Sequence, residues 1–132
     1  MKIAKPKKKV NYHPRLWKLV SEYVRRSAQG KCYTCGTIKH WKEMDAGHFI
    51  DKSICGTELY FDLRNVKCQC TKCNRYLSGA KDVYAQKLVQ EYGSQILDTL
   101  FGIKQVIRKW NDDQYIGTIE FYKRRLKELG WG

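Results

Sequence analysis

Apolar residues recur at helical spacing near both ends of the chain, and a differently patterned stretch lies between them. The first helical pattern runs from Pro14 to Gln29, and its apolar positions are Leu16, Val20, Tyr23, Val24 and Ala28. Steps of three and four place such residues on one face of a helix. Pro14 suits a first turn and Gly30 a stop. The pattern therefore predicts an N-terminal helix over residues 14–29.

Three more helical segments are predicted after residue 80, over 81–93, 94–110 and 111–130. Gly93 suits the end of the first, and Ser94 is a candidate N-cap for the second, which Gly102 could interrupt. An Asn/Asp cap at residue 111 begins the third, which ends at Gly130. The apolar stripes of the last two segments are Leu97, Leu100, Ile107 and Trp110, then Tyr115, Ile119, Tyr122, Leu126 and Leu129.

Residues 31–79 lack a helical period. Four glycines alternate there with short apolar runs such as "HFI" and "LYF". This pattern predicts loops, a short hairpin and little other regular structure, which would be poorly stabilised without a covalent or metal clip.

Two C-x2-C pairs in this stretch supply such a clip. Cys32 and Cys35 form one pair, Cys70 and Cys73 the other, with 34 residues between the pairs. Four thiolates make a soft tetrahedral site best matched to structural zinc. A redox motif is disfavoured because no βαβ pattern surrounds either pair. Cys68 could compete with Cys70 as a ligand, because an extended segment would point both side chains the same way. Cys55 is expected to be an ordinary thiol.

Charge points to a polyanionic partner. The 132-residue chain has 26 Lys and Arg against 13 Asp and Glu, a net charge of +13. Such an imbalance attracts nucleic acid or an anionic membrane, although it can also serve solubility. Residues 1–13 are expected to form a basic flexible arm, or a simple solvated tail, before one domain over 14–132. The residues expected to contact phosphates are Lys7, Lys8, Lys9, Arg64, Lys67, Lys72 and Arg75.

No stretch of the sequence approaches the roughly 20 apolar residues of a membrane span. The N-terminal residues also lack the apolar region of a secretory signal. A cytosolic, reducing setting is therefore expected, and there six cysteines favour metal binding over disulfides.

His48, Asn65 and Asn74 lie between and beside the two cysteine pairs. A histidine near neutral pKa can take a proton from water, and an amide can orient its ring or bind a hard cation. Phosphodiester hydrolysis needs an activated water, a divalent ion and basic groups. Taken singly, such a His is more often structural and such Asn residues often cap turns. Their order beside two cysteine pairs favours catalysis.

The segments "CYTCG", "DAGHF" and "RNVKCQCTKCN" resemble the HNH endonucleases, which have the ββα-metal or His-Me finger fold. The chain is most similar to the NinG (Rap) recombination nuclease family of lambdoid phages, from about Cys32 to Tyr92. The resemblance implies an α+β fold with a zinc-stapled hairpin and helix as its core, over 31–92. An N-terminal helix would precede this core, and a helical extension over 93–132 would follow it.

The same resemblance implies the roles of the three polar residues. His48 would be the general base at the end of the first strand, and Asn65 would orient it and pin the loop. Asn74 would bind a catalytic Mg2+ or Mn2+. The wider HNH pattern often has an acidic metal ligand directly before the histidine, where this chain has Gly47. Asp45, two residues back and roughly 6.6 Å away along a strand, could replace it, as could Asp51 or Asp62.

The resulting hypothesis is a metal-dependent DNA endonuclease of phage recombination, acting in the host cytoplasm. By resemblance its substrate would be branched DNA such as D-loops or Holliday junctions. Paired nicks on a junction would suit a symmetric homodimer. Two alternatives stay open: a non-catalytic zinc module that binds nucleic acid, and an HNH nuclease that cuts ordinary duplex DNA.

Overall fold

A computed structural model describes residues 9–106 and 108–130, and its fold in this part of the chain is α+β. The helices are α1 (Tyr12–Ser27), α2 (Gly56–Tyr60), α3 (Lys81–Tyr92), α4 (Ile96–Lys104) and α5 (Asp112–Glu128). The strands are β1 (Asp45–His48) and β2 (Val66–Gln69). A short 3-10 turn, Trp41–Glu43, precedes β1, and a π-helical turn, Lys72–Tyr76, follows β2.

The two strands form the predicted hairpin. They pair antiparallel, with Asp45 opposite Gln69 and His48 opposite Val66. A long connection that contains α2 joins them, so the hairpin has no tight turn. His48 is the last residue of β1, as expected. The connection therefore lies at the His48 end of β1, and the turn after β2 lies beside Asp45 at the start of β1.

The helices pack on the hairpin in two hydrophobic clusters. In the first, α1 packs against α5 and against both strands. Its buried residues include Leu16, Val20 and Val24 of α1, Val66 and Cys68 of β2, and Ile119 and Tyr122 of α5. In the second, α4 packs against α2 and α3. Its buried residues include Leu59, Tyr84, Leu88, Ile96 and Leu100. The first cluster thus packs directly on the hairpin, and the second packs on the connection between the two strands.

Two predicted helices have different bounds. Helix α1 begins at Tyr12, inside the predicted arm, and ends at Ser27 because Gln29 and Gly30 take positive φ values of 54° and 71°. Helix α4 covers Ile96–Lys104 only, and Ser94 does not cap it. The predicted continuation to residue 110 is wrong for residues 105, 106 and 108–110, which are not helical. Val106 is 50% exposed there, so no packing supports a longer helix.

The other two helical predictions are confirmed. Helix α3 ends before Gly93, and α5 begins after Asn111 with a full capping box to Gln114. Of the α5 stripe, Leu129 is 42% exposed. Lys7, Lys8 and Ile107 lie outside the described residues, and Lys9 is exposed. No helix within the described ranges is long and apolar enough to cross a membrane.

Candidate metal centre and adjoining pocket

Four cysteines converge at one corner of the hairpin. The Sγ atoms of Cys32, Cys35, Cys70 and Cys73 all lie within 4.8 Å of one another, and those of Cys35 and Cys70 are 3.7 Å apart. Tetrahedral zinc with Zn–S bonds near 2.3 Å would separate its sulfurs by about 3.8 Å. The four sulfurs therefore fit one structural zinc ion.

Each cysteine pair lies on a tight backbone turn. Gly36, with φ of 80°, donates its N–H to the Cys32 carbonyl at 2.9 Å, which closes the first turn. In the second turn, Asn74 donates its N–H to the Cys70 carbonyl at 2.9 Å, and the Cys73 N–H donates to the Cys70 sulfur at 3.5 Å. Such N–H groups stabilise thiolates, so both turns are suited to hold metal ligands.

Local hydrogen bonds also set the acidity of the ligand thiols. Burial raises the pKa of Cys32, but hydrogen bonds from the Thr34 hydroxyl and from backbone groups outweigh it and lower this pKa to about 6. A hydrogen bond with Thr37 lowers the pKa of Cys35. Burial raises the pKa of Cys73 to about 12, so this thiol needs a bound cation to ionise.

Cys68 and Cys55 stand apart from the four ligands. Strand β2 ends at Gln69, so Cys70 lies outside it, and Cys70 but not Cys68 belongs to the group of four close sulfurs. Cys68 is buried in the first hydrophobic cluster, where burial raises its pKa to about 11. Cys55 is buried in the second cluster. The alternative in which Cys68 replaces Cys70 is therefore wrong.

A polar pocket opens beside the cysteine corner. Its volume is about 390 Å³, and its lining includes Trp17, His48, Asp51, Lys52, Asn74 and Lys81. Lys81 begins α3 and donates from Nζ to the backbone carbonyls of His48 and Phe49 and, at 2.9 Å, to Asp51 Oδ1. Two of the three sequence-predicted catalytic residues, His48 and Asn74, thus line the same pocket.

The His48 ring is held firmly and is neutral. Its Nε2 lies 3.0 Å from the Tyr60 carbonyl oxygen, and the ring stacks on Trp17 with centroids 4.9 Å apart. Because a carbonyl oxygen can only accept, Nε2 carries the hydrogen and Nδ1 keeps the lone pair. Burial, with the charges of Lys52 and Lys81, lowers the pKa of His48 to about 4, although the Tyr60 hydrogen bond opposes this shift.

Asn65 pins the loop but does not touch the His48 ring. Its fully buried side chain accepts from the Ile50 N–H at 2.8 Å and donates to the carbonyls of Ile50 and Leu59 at 3.1 Å each. The expected direct orientation of His48 by Asn65 is therefore corrected: the Tyr60 carbonyl holds the ring. Asn65 donates instead to the carbonyl of Leu59, the residue before Tyr60, so its effect on the His48 ring is indirect.

Asp45 and Asn74 meet at the start of β1. Asn74 Nδ2 donates to Asp45 Oδ2 at 3.1 Å, and Arg75 binds both carboxylate oxygens at 3.1 and 3.2 Å. Both oxygens of Asp45 are thus engaged. A carboxylate can only accept, so this contact faces Nδ2 towards Asp45 and turns Asn74 Oδ1 the other way.

Gln69 fills the space that a side chain at position 47 would occupy. A Cβ built on Gly47 would lie 1.9 Å from Gln69 Oε1 and 2.8 Å from Asn74 Oδ1. Gln69 is fully buried, and its Nε2 donates to the Gly79 carbonyl at 2.9 Å and to Thr34 Oγ1 at 3.2 Å. Gly47 is therefore required here, because any side chain would displace Gln69.

The basic residues named from the sequence differ in their surroundings. Arg64 forms a bidentate pair with Asp62, its Nη2 lying 2.8 Å from Oδ2. The side chain of Lys67 is 15% exposed and its ammonium lies 4.7 Å from the Tyr92 ring centroid. Lys72 is exposed, and Arg75 has a side chain 67% exposed. Lys72 and Arg75 are thus the best placed of these to reach a phosphate.

Several pocket residues escape sequence reasoning. Trp17 looks like a core position of α1, and Tyr60 contributes a backbone carbonyl, which no side-chain motif can indicate. Lys81 reads as an ordinary first residue of α3. Gln69 gives the one usable signal, since a polar side chain at the end of a short buried strand needs partners.

The fold and these two sites define a class: a small α+β protein with four converging cysteines that could hold a metal ion beside a polar pocket. The chain belongs to the NinG family, whose model, described as "Bacteriophage Lambda NinG protein", matches residues 1–131. This confirms the resemblance to the NinG family. No solved structure is significantly similar to the chain.

Curated proteins from several phages are similar to the chain in sequence. "Protein ninG" of Salmonella phage P22 is 29% identical over 111 residues, which are 83% of this chain and 53% of that protein. "Protein ninG" of Escherichia phage 933W is 28% identical over 111 residues, 83% of this chain and 54% of that protein. "Protein ninG" of Escherichia phage lambda is 27% identical with the shares 83% and 53%. The chain spans about half the length of these curated relatives.

Proposed function

We propose that this protein is a metal-dependent DNA endonuclease of the HNH type, with His48 as its general base. The observation that carries this proposal is the state of the His48 ring in the pocket. One nitrogen is fixed by the Tyr60 carbonyl, and the ring is neutral at physiological pH because its pKa is about 4. The other nitrogen therefore has a lone pair available to accept a proton from water.

The chain's own residues then divide the work. His48 Nδ1 takes the proton of a water whose oxygen forms the new bond to phosphorus as the ester P–O bond breaks. Trp17 and Tyr60 keep the ring in place, and Lys52 lines the pocket where it can bind a phosphate oxygen. Lys72 and Arg75 lie on the turn after β2 and would grip the adjoining backbone.

A divalent cation is the remaining requirement, and the Asn74 amide oxygen is the donor proposed for it. Asn74 Oδ1 is turned away from Asp45 and towards Gly47, and an amide oxygen is a ligand that hard cations accept. Asn74 would hold Mg2+ or Mn2+ through this oxygen. Such an ion supplies charge stabilisation at the scissile phosphate. The order β1, β2, turn, α3, with the cysteines at its edges, is the order that the HNH resemblance implies.

The proposed substrate is branched recombination DNA, in line with a phage family. The direct test incubates the zinc-loaded protein with a labelled four-way junction and with a linear duplex of the same sequence, with Mg2+ or Mn2+. Nicks near the branch point that exceed those in the duplex would support the proposal. Equal rates would favour a nuclease of ordinary duplex DNA, and gel-shift binding without any nicking would favour the non-catalytic zinc module.

The role of His48 is tested with a matched pair of histidine variants. His48→Ala should lower the nicking rate by about 10²–10⁴-fold, whereas His40→Ala, at an exposed turn, should keep the parental rate. Both variants should retain zinc and DNA binding. A parental rate for a folded His48→Ala would show that this ring is not the base.

Analytical ultracentrifugation with and without a junction would test whether two copies of the protein bind one junction.

A further inference from the structure

Three cationic side chains gather around the ring of Trp41, on the 3-10 turn that precedes β1. The guanidinium carbon of Arg25 lies 5.1 Å from the ring centroid, and that of Arg26 lies 5.9 Å from it. The ammonium of Lys42 lies 5.8 Å away. The face of a tryptophan ring attracts cations, so the ring holds these three groups in one place. They lie outside the lining of the His48 pocket.

Backbone carbonyls fix the two guanidinium groups. Arg25 donates from Nε to the Ser21 carbonyl at 3.0 Å and from Nη1 to the Trp41 carbonyl at 3.5 Å. Arg26 donates from Nη2 to the Gly130 carbonyl, and its side chain is 15% exposed. Both groups are therefore held in place without a ligand, which lowers the entropic cost of binding one.

A cavity of about 350 Å³ opens beside the Trp41 ring. Its lining includes Arg26, Lys39, His40 and Trp41, and none of the described residues that line it is acidic. Lys39 and His40 are exposed. The cavity thus combines fixed cationic groups with access from solvent, which is what a site for an anionic ligand requires.

Positive charge exceeds negative charge at this place. Together with the ring, the cations form what we call the Trp41 surface, namely Arg25, Arg26, Lys39, Trp41 and Lys42. The acids of α1 and of the turn are Glu22, which pairs with Arg26 at 3.5 Å, and Glu43, which is exposed. Like charges held close together repel one another, and a bound anion would relieve this repulsion. Guanidinium and ammonium groups are donors suited to phosphate oxygens.

The Trp41 surface lies at the same end of the hairpin as the turn after β2. The 3-10 turn ends two residues before Asp45, the first residue of β1, which pairs with Gln69 at the end of β2. Arg75 of the turn after β2 binds both carboxylate oxygens of Asp45. A DNA backbone held by Lys72 and Arg75 would therefore continue across the start of β1 to the Trp41 surface.

We propose that the Trp41 surface is a site for the phosphate backbone of DNA. The choice of DNA as the ligand rests on the proposed function, because a nuclease must hold its substrate on both sides of the bond that it cuts. The guanidinium and ammonium groups bind phosphate oxygens, and the Trp41 ring keeps these groups together. The contact with DNA thereby extends beyond Lys72 and Arg75.

DNA binding measured without Mg2+ tests this site apart from cleavage. Fluorescence anisotropy of a labelled duplex, over a series of salt concentrations, compares the zinc-loaded parent with the double variant Lys39→Met/Lys42→Met. Each lysine that no longer contacts a phosphate should lower the salt slope by about 1, so the double variant should lower it by about 2. Zinc content and melting temperature report the fold of each variant.

The matched control is Lys109→Met/Lys123→Met, which removes the same charge from two exposed positions outside the Trp41 surface. This control should keep the parental slope. Equal changes of slope in the two double variants would show that only the net charge matters and would overturn the site. A parental slope for folded Lys39→Met/Lys42→Met, or no DNA binding by the parent, would also overturn it.

A second measurement distinguishes DNA from free phosphate as the ligand. The indole N–H resonance of Trp41, assigned with Trp41→Phe, should shift when the duplex is added. Inorganic phosphate at the same phosphate concentration should leave this resonance in place. An equal shift with inorganic phosphate, together with a parental salt slope for the lysine variant, would assign the site to a free anion and overturn the proposal.

Nicking assays with Mg2+ separate this site from the proposed function. DNA binding that depends on Lys39 and Lys42, by a protein that does not nick DNA, would support the site and defeat the nuclease alone. Nicking by a protein whose salt slope does not depend on these lysines would defeat the site alone.

Discussion

The cysteine corner and the polar pocket share the end of β2 and the turn after it, but they are built in opposite ways. At the corner, four sulfurs converge within 4.8 Å of one another, a spacing that would hold one ion. At the pocket, His48, Asn74 and the lysines surround a space of about 390 Å³ that opens to solvent. Structural metal sites are closed and catalytic sites keep an open position. Under the proposed function, this contrast assigns stabilisation of the fold to the corner and substrate binding to the pocket.

Hydrogen bonds join the two regions. Thr34 lies 3.4 Å from the Cys32 sulfur, and its hydroxyl accepts from Gln69 Nε2 at 3.2 Å. Asn74 directly follows Cys73, so the same turn carries a sulfur ligand and a wall of the pocket. The closed site therefore fixes the geometry of the open one, and damage should spread from the corner to the pocket more than in the reverse direction.

The largest effect is expected from loss of the zinc site. Cys70→Ser or strong chelation should destabilise residues 31–79 by more than about 5 kcal/mol, since structural zinc contributes its binding energy directly to folding. Melting curves and zinc stoichiometry would measure this. Cys55→Ser is the control, because Cys55 is buried in the second hydrophobic cluster and is not one of the four converging cysteines. That variant should keep one zinc per chain, and retention of zinc with a parental melting temperature by Cys70→Ser would contradict the structural role.

The next effect tests the loop between the strands. Asn65→Ala would leave the Ile50 N–H and the carbonyls of Ile50 and Leu59 buried without partners, at a cost of about 2–5 kcal/mol. Urea unfolding at constant zinc gives the free energy, and hydrogen exchange should show faster exchange of the Ile50 amide. Asn11→Ala is the matched control, because Asn11 makes no side-chain capping bond at the start of α1. Equal unfolding free energies for both variants would rule out loop pinning.

The sequence predicted the corner more completely than the pocket, and the reason is physical. Two C-x2-C pairs carry their geometry in their spacing, so Cys32, Cys35, Cys70 and Cys73 could be named without coordinates. A pocket depends on backbone atoms and on distant elements. The Tyr60 carbonyl beneath His48 and the Trp17 ring of α1 reach their places only through the packing of whole helices.

Helix predictions show the same dependence on context. Capping chemistry is local, so the start of α5 at Asn111 could be predicted. The end of α4 could not be predicted from the sequence. The apolar spacing continues past Lys104, but Val106 is 50% exposed and has no buried surface to pack against. Likewise, the amide of Asn65 was expected to orient His48, and only the fold shows that its hydrogen bonds go to Ile50 and Leu59.

A smaller effect is expected in the pH dependence of the unfolding free energy, which His48 in the pocket should change. The folded-state pKa of His48 is about 4, below its ordinary value of 6.5, so the unfolded chain binds a proton first as pH falls. Stability should therefore fall between pH 6.5 and about 4, by about 3 kcal/mol from this group. His48→Phe retains stacking on Trp17 but cannot titrate, and the zinc thiolates are common to both proteins. As the pH falls from 6.5 to about 4, the difference in unfolding free energy between the parent and His48→Phe should narrow or reverse. A difference that stays constant over this range would refute the lowered pKa of His48.

The smallest effect compares two lysines that flank the shared end of β2. Lys67 is enclosed by Tyr33, Tyr92 and Glu91, with its ammonium 5.1 Å from the Tyr33 ring centroid and 3.5 Å from Glu91 Oε1. Lys72 is exposed on the turn between the two sites. If Lys72 contacts a phosphate, Lys72→Met should weaken DNA binding and lower the salt slope by about 1.

Lys67→Met should instead lower stability by about 1 kcal/mol and leave the salt slope unchanged, because its charge already has partners in the protein. Fluorescence anisotropy over a series of salt concentrations measures both slopes, and urea unfolding measures both stabilities. A reduced slope with parental stability for Lys67→Met would mean that its ammonium leaves the tyrosines for the DNA. The phosphate-binding surface would then extend along β2, beyond the turn that joins the closed corner to the open pocket.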